Sequence, residues 1–139
     1  MAQQFQRSVT RGANETALPH DAATVFATTT PMTPPYGECA ASIIAQCSLA
    51  PGADITAVLL EIVRNPATDD VTVGIANPTF AAPSASLCIC FGGVDQLPDG
   101  RDVQYALRIT TTGGVDDTSV IIPFVDATLI SGAKGGGGF

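Results

Sequence analysis

The chain has 139 residues, enough for one domain with a single hydrophobic core, and only 14% of its residues are charged. Its formal net charge is −7 with six Lys and Arg in total, which argues against nucleic-acid binding, because phosphate contacts need clustered cations. No apolar run approaches the roughly 18 residues that span a bilayer, and the first residues lack the apolar segment of a secretory signal. The composition therefore predicts a protein made in the cytoplasm that binds neither nucleic acid nor membrane.

Residues 1–21 are predicted to form an extended N-terminal arm. The N-terminal third of the chain is rich in Thr, Ala, Gln and Pro, and residues 1–20 should be disordered when taken alone. The first 13 residues contain two arginines and no acid, whereas residues 36–131 carry a net charge of −8 from three Arg and eleven acids. Phe5 is an apolar anchor in this arm, and we expect Phe5, Arg7 and Arg11 to contact a partner.

The main domain is predicted to span residues 22–131. Its first strand is "ATVFATTT", near residue 25. In "ECAASIIAQCSL", every odd position from Cys39 to Leu49 is apolar, and a period of two is typical of a half-buried strand. The segment "ITAVLLEIV" is predicted to be a central strand rather than a short helix, because it is rich in Val and Ile and is closed by Asn65 and Pro66.

Apolar alternation continues through the second half of the chain. The segments "DVTVGIANP" and "SASLCICF" each place three apolar residues on one face: Val71, Val73 and Ile75 in the first, and Leu87, Ile89 and Phe91 in the second. In "RDVQYALRITTTGG" the predicted inward residues are Val103, Tyr105, Leu107 and Ile109, and the predicted outward ones are Gln104, Ala106, Arg108 and Thr110. The segment "TSVIIPFVDATLIS" is predicted to be one strand bent at Pro123, or two strands, with the proline at a bulge or an edge.

The spacing of these segments predicts the fold class. Seven or eight strands about ten residues apart are typical of an antiparallel β-sandwich of immunoglobulin-like or jelly-roll type. Spacing does not distinguish these two topologies, because they differ only in strand order. Residues 132–139 are predicted to be a Gly-rich C-terminal tail in which Lys134 and the apolar anchor Phe139 contact a partner.

Cysteine and histidine are the first candidates for chemistry. His20 is the single histidine and is predicted to lie in an exposed loop. Cys88 and Cys90 share one face of a predicted strand, and three interpretations of the four cysteines remain open: small buried apolar residues, a cross-strand disulfide between Cys39 or Cys47 and Cys88 or Cys90, and a four-thiolate zinc site. The zinc site is the least favoured, because neither C-x-C nor C-x(7)-C forms the usual zinc knuckle.

Paired acids are the second candidates. Asp69 with Asp70, Asp99 with Asp102, and Asp116 with Asp117 all lie in or beside predicted turns. No calcium-loop pattern is present, and a glycosidase would need more aromatic residues than two Tyr and no Trp. We therefore interpret the acids as turn-forming, and we expect no catalytic residues, no cofactor and no metal site.

A small, acidic, charge-poor β-sandwich with an arm at each end resembles the decoration (cement) proteins on the capsids of tailed bacteriophages. The resemblance covers the format of the whole chain. It implies a homo-oligomer, a dimer or a trimer, that binds where major capsid proteins meet and stiffens the shell against internal DNA pressure. It also implies a virion location, with the N-terminal arm on the capsid surface and the acidic body facing solvent.

Two other function classes remain open from the sequence. The same sandwich is compatible with another virion component, such as a head-tail connector, a tail protein or a fibre-base protein. It is also compatible with a host-binding or carbohydrate-binding module, although the shortage of aromatic residues counts against that interpretation.

Overall fold

The computed structural model describes residues 5–34, 39–80, 86–97 and 101–131, with the side chains of Phe5 and Ser131 left out. The described residues form nine β-strands and no helix. In chain order the strands are β1 (Phe5–Arg11), β2 (Glu15–Leu18), β3 (Ala23–Phe26), β4 (Cys39–Ala50), β5 (Ile55–Arg64), β6 (Val71–Ala76), β7 (Leu87–Leu97), β8 (Tyr105–Gly113) and β9 (Thr118–Ser131). The predicted all-β sandwich is confirmed.

Strand order identifies the topology as a jelly roll. The first sheet has the order β1-β9-β4-β7, with β2 also pairing with β9, and the second sheet has the order β3-β8-β5-β6. Every pairing between strands is antiparallel. Strands distant in the sequence lie side by side, as in the paired Greek keys of a jelly roll. The order therefore decides between the two topologies that the strand spacing left open.

The core lies between the two sheets and follows the predicted alternation. All odd residues of β4 from Cys39 to Leu49 are buried, and on β8 Tyr105, Leu107 and Ile109 are fully buried. Strand β5 lies between β8 and β6, as its apolar composition predicted. The period of two in the sequence thus identified the inward faces of both central strands correctly.

The first strands begin earlier than the sequence predicted. We expected the sandwich to start at residue 22, yet β1 pairs with β9 from Phe5 to Arg11, and β2 pairs with β9 farther along the same edge. Leu18 at the end of β2 is fully buried in the core. The inward residues of β1 are polar, and two of them, Gln6 and Ser8, hydrogen-bond to Thr33 and Thr30, so this strand lacks the apolar alternation that would have predicted it.

Pro123 lies at a β-bulge in a continuous β9, as predicted. The register between β4 and β9 shifts between Gln46 and Ser48, and Ile122 has a positive φ of 54°. The backbone N–H of Gly12 donates to the carbonyl of Pro123, and that of Ile122 donates to the side chain of Asn14. The strand ladder is interrupted at the bulge, so the missing backbone N–H of proline is tolerated there. The bulge also separates the part of β9 that pairs with β1 from the part that pairs with β2.

One predicted outward residue of β8 is buried. Ala106 and its cross-strand neighbour Val63 are fully buried on the outer side of the second sheet. The turn at residues 65–70 folds back along this side, where Asp70 pairs with Arg108. Ala106 was expected to face solvent because alternation reports which side a residue faces but not what covers that side.

The edge strands of the two sheets contact each other where β6 of the second sheet crosses β7 of the first. A Cβ atom added to Gly74 would lie 2.9 Å from the carbonyl oxygen of Gly92, and one added to Gly93 would overlap the carbonyl of Val73. Glycine at these positions allows the two backbones to approach directly. Ile75, one residue further on β6, remains 59% exposed, so the apolar face predicted for β6 is only partly core.

Candidate functional site

The candidate site is the outer side of the first sheet, which we call the outer face. Ile121 on β9 is an exposed large apolar residue of this face (40%), and so are three others: Val9 (48%) on β1, Ile44 (45%) on β4 and Val94 (65%) on β7. Cross-strand pairing connects these three in adjacent rows, since Val9 and Ile44 both lie opposite Asp126, and Val94 lies opposite Ser42. The outward residues of β4 and β7 include no charge: Ala40, Ser42, Ile44, Gln46 and Ser48 on β4, and Cys88, Cys90, Gly92, Val94 and Gln96 on β7.

Charge on the outer face is concentrated on the side of β1. Arg7 forms a two-point ion pair with Asp126, with Nε–Oδ1 at 3.0 Å and Nη2–Oδ2 at 2.7 Å. This hydrogen bonding holds the pKa of the Asp126 carboxyl below its usual range. Arg11 lies two rows away, opposite Phe124, and is exposed. The paired charges cancel, so the described part of the face is close to neutral although the chain carries −7.

The structure places some of the predicted partner-binding residues together. Arg7 and Arg11 lie on the same side of β1 and both belong to the outer face. Phe5 is the first residue of that strand, opposite Ile130, but its side chain is outside the described part of the structure. Lys134 and Phe139 lie in residues 132–139, which are also outside it, as are residues 1–4. Whether these residues bind a partner stays a prediction.

The four cysteines divide into two pairs with different surroundings. All four are free; Cys39 and Cys47 are buried, whereas Cys88 and Cys90 are exposed. Burial raises the pKa of the Cys47 thiol to about 11. The interpretation as buried apolar residues is therefore right for the first pair and wrong for the second, because the side of β7 that carries Cys88 and Cys90 is the outer face. Neither a disulfide nor a four-thiolate cluster forms within the chain as described.

His20 lies between two aspartate carboxylates at one end of the sandwich. Its Nδ1 lies 2.6 Å from Oδ1 of Asp116, which also accepts the backbone N–H of His20, and its Nε2 lies 3.8 Å from Asp21. The hydrogen bond to Asp116 raises the pKa of the imidazole and lowers that of the carboxyl. Both ring nitrogens thus face carboxylates, and none of the described hydroxyl or thiol groups hydrogen-bonds to this histidine. The pair connects the loop before β3 to the loop before β9.

The paired acids that the structure describes lie in or beside turns, as predicted, but Asp69 alone accepts from its own turn, while Asp70, Asp102 and Asp117 bond to residues far away in the chain. Asp69 accepts from Asn65, Asp70 pairs with Arg108, and Asp117 accepts the backbone N–H of Ala53. Asp102 accepts from Thr33, while Asp99 lies outside the described residues. No group of three or more His, Cys, Asp or Glu that could hold a metal ion occurs in the described ranges.

Sequence reasoning missed a buried ionic cluster between the sheets. Arg64 on β5 donates to both carboxylate oxygens of Asp95 on β7, at 2.8 and 2.9 Å, and Asp95 also accepts from the Tyr105 hydroxyl at 2.7 Å. Burial is the main cause of the raised pKa of Tyr105, and the hydrogen bond to Asp95 is the second cause. Extending the inward series Leu87, Ile89 and Phe91 by two-residue steps would have placed Asp95 in the core.

Comparisons with solved structures show similarity at the level of the fold. A chain in the structure of infectious bursal disease virus Gx strain matches with a TM-score of 0.54 at 11% identity, covering 96% of this chain and 34% of that one. T=1 particles derived from infectious bursal virus match at 0.46 and 11%, covering 92% and 35%, and Eiger TNF from S. frugiperda matches at 0.45 and 11%, covering 89% and 91%.

The protein spans about a third of the length of the viral chains that it matches. No protein-family model matches the sequence, and no curated protein matches it. Along the described ranges there is no helix long and apolar enough to cross a membrane. The similarity to the chain from the Gx strain structure shows that this protein shares its fold with about a third of that viral chain.

Proposed function

We propose that this chain is a non-enzymatic structural protein of a virus particle that binds a shell of major capsid protein as a decoration (cement) protein and stabilises it. The observation that carries the proposal is the outer face: a broad, nearly neutral sheet surface with exposed Val9, Ile44 and Val94 on an otherwise acidic chain. The fold shared with a chain from an infectious bursal disease virus structure supports the same class of role.

The charge distribution favours binding through this face. Removing charged groups from water is costly, whereas exposed apolar side chains gain when a partner covers them. The outer face offers apolar surface with one self-paired ion pair, Arg7 with Asp126, while many of the described acids lie in turns or on the second sheet. A shell subunit can therefore cover the outer face while the acidic turns remain in water.

The non-enzymatic part of the proposal is supported by the state of the histidine. Hydrolytic mechanisms of the Ser-His or Cys-His type need a hydroxyl or thiol within hydrogen-bond reach of one ring nitrogen. In this chain both nitrogens of His20 face carboxylates, those of Asp116 and Asp21. Its environment is that of a structural ion pair.

The direct test is to purify virus particles from the source of the sequence on a density gradient and quantify their proteins by mass spectrometry. We expect this chain to co-sediment with the particles at a copy number comparable to that of the major shell protein. A copy number many times smaller would favour the connector, tail or fibre-base alternative. Absence from the particles would contradict a virion role altogether.

A matched pair of variants tests the surface. Ile44→Asp places a charge in the middle of the outer face, whereas Ile75→Asp places the same charge on β6 of the second sheet, at a residue that is also exposed. The binding partner is a virus particle from which this protein has been removed. We expect the first variant to bind it with an affinity at least about tenfold lower than the parent, equivalent to roughly 1.4 kcal/mol, and the second to bind as the parent does. Equal binding by both folded variants would exclude the outer face as the contact surface.

A further inference from the structure

The N-terminal half of β7 exposes two thiols on a strand at the end of its sheet. Cys88 and Cys90 lie on the outer face beside a groove of about 350 Å³, which Gln46, Ser48 and Ile122 also line. Strand β7 is the last strand in the order of its sheet, and among the described residues β4 is its only ladder partner. Contact with β6 occurs farther along β7, at Gly92 and Gly93.

These thiols have no suitable partner within their own chain. Ser48 and Gln46 lie opposite Cys88 and Cys90 on β4, and Cys47, which lines the same groove and lies opposite Ile89, is buried and forms no disulfide. Cys88 and Cys90 themselves are two residues apart in an extended strand, about 6.8 Å between Cα atoms with parallel side chains. That separation is at the upper limit for a disulfide, so a bridge within this C-x-C would distort the strand.

The same segment lacks the features that protect strands at the end of a sheet. Such strands usually carry Lys, Pro or a bulge that prevents pairing with another chain. The segment from Leu87 to Phe91 contains no charge and no proline, and it pairs with β4 in an unbroken register. Because the chain has a net charge of −7, an uncharged segment is also where two copies repel each other least.

We propose that two copies of this chain pair antiparallel through β7 about a two-fold axis at Ile89, and that oxidation joins Cys88 of each copy to Cys90 of the other. Two-fold symmetry requires this reciprocal pairing, because position 88 lies opposite position 90 when 89 lies opposite itself. Opposite residues in antiparallel strands have Cα atoms about 4.5–5.5 Å apart, within the range of disulfides. Face-to-face packing of the outer faces would separate the backbones by about 10 Å, which is too far.

The chemistry is a four-electron oxidation with molecular oxygen as the oxidant. Four thiols lose their hydrogens to one O₂, two S–S bonds form, and two waters are released. A reducing cytosol keeps the thiols free, so the link forms after the protein reaches an oxidising medium. The inference rests on β7 alone and is independent of the proposed virion role.

The test uses Cys88→Ser and Cys90→Ser, separately and mixed, in air-saturated buffer with non-reducing electrophoresis and intact-mass measurement. We expect the parent chain to give a covalent dimer that a thiol reductant dissolves. Each variant alone should stay monomeric, because its remaining cysteine faces serine. The mixture should give a dimer with one disulfide, in yield several-fold above either variant alone.

Other outcomes would overturn the proposal. Equal cross-linking by each variant alone would show that like cysteines pair, which the two-fold axis at Ile89 does not allow. A parent chain that stays monomeric, or that forms only a ladder of higher oligomers, would show that β7 does not pair specifically. The double variant is the control: it should form no covalent dimer, because Cys39 and Cys47 are buried.

Discussion

The hydroxyl of Tyr105, in the second sheet, donates a 2.7 Å hydrogen bond to Asp95, in the first sheet. The same carboxylate is the ion-pair partner of Arg64, which lies opposite Tyr105 on the neighbouring strand. Three residues from three strands thus meet in the core near one end of the sandwich. The cluster fixes the register of one sheet against the other through directional bonds, which apolar packing alone does not provide.

Removing the carboxylate should destabilise the fold strongly. Asp95→Ala leaves the largely buried guanidinium of Arg64 without its main counter-charge, and we expect the free energy of unfolding to fall by about 3–5 kcal/mol. Urea unfolding followed by circular dichroism measures it. The control is Asp126→Ala, which breaks the exposed pair with Arg7 and should cost less than about 1 kcal/mol. Equal losses would mean that the inter-sheet cluster has no special role.

The glycines at the β6–β7 crossing should differ in their tolerance of alanine. In Gly93→Ala the new methyl group overlaps the carbonyl of Val73, and we expect a loss of about 1–3 kcal/mol from the strand displacement. In Gly92→Ala the nearest atom is the Ile43 carbonyl oxygen at 3.1 Å, so the cost should be below about 1 kcal/mol. Thermal unfolding of both variants compares them, and the reverse order would show that the two backbones do not touch at Gly93.

Replacing Thr111 by valine should stabilise the fold. Its hydroxyl is buried without a hydrogen-bond partner, so Thr111→Val removes an unsatisfied polar group at nearly constant volume. We expect the free energy of unfolding to rise by about 1 kcal/mol. Thr112→Val, the same change at the adjacent exposed position, should alter it by less than about 0.5 kcal/mol. A destabilised Thr111→Val would indicate that the hydroxyl has a partner, such as a buried water.

The pair formed by His20 and Asp116 should make stability depend on pH. The raised imidazole pKa means that its contribution is complete below the ordinary value of 6.5 and is lost as pH rises through the folded-state value. The lowered carboxyl pKa means that its contribution is complete above the ordinary value of 3.8 and is lost as pH falls through its folded-state value. The pair should therefore contribute most between these two ordinary values.

A single histidine makes this pH dependence easy to measure. Proton NMR of the one imidazole should give a pKa above 6.5 in the parent chain and a lower one in Asp116→Asn. The difference in melting temperature between the parent and His20→Gln should be larger at about pH 5 than at about pH 8.5. An unchanged imidazole pKa in Asp116→Asn would contradict the pairing.

The period-two pattern of the sequence predicted the strands and most of the core. The odd residues of β4, the inward residues of β8 and the bulge at Pro123 were all identified correctly, because a side chain's direction in a strand and a proline's missing donor are local properties. The turn signals in the sequence likewise located the paired acids in or beside turns. These features need no knowledge of which strands are neighbours.

The tertiary structure alone decided the rest. Jelly-roll order, the pairing of polar β1 with β9 and the exposure of Cys88 and Cys90 all depend on hydrogen-bond partners far away in the chain. The same alternation of apolar residues satisfies several strand orders equally well, since it specifies a buried side but not what covers it. Only the assembled sheets determine which uncharged side of a strand lies against the core and which is left open to a partner.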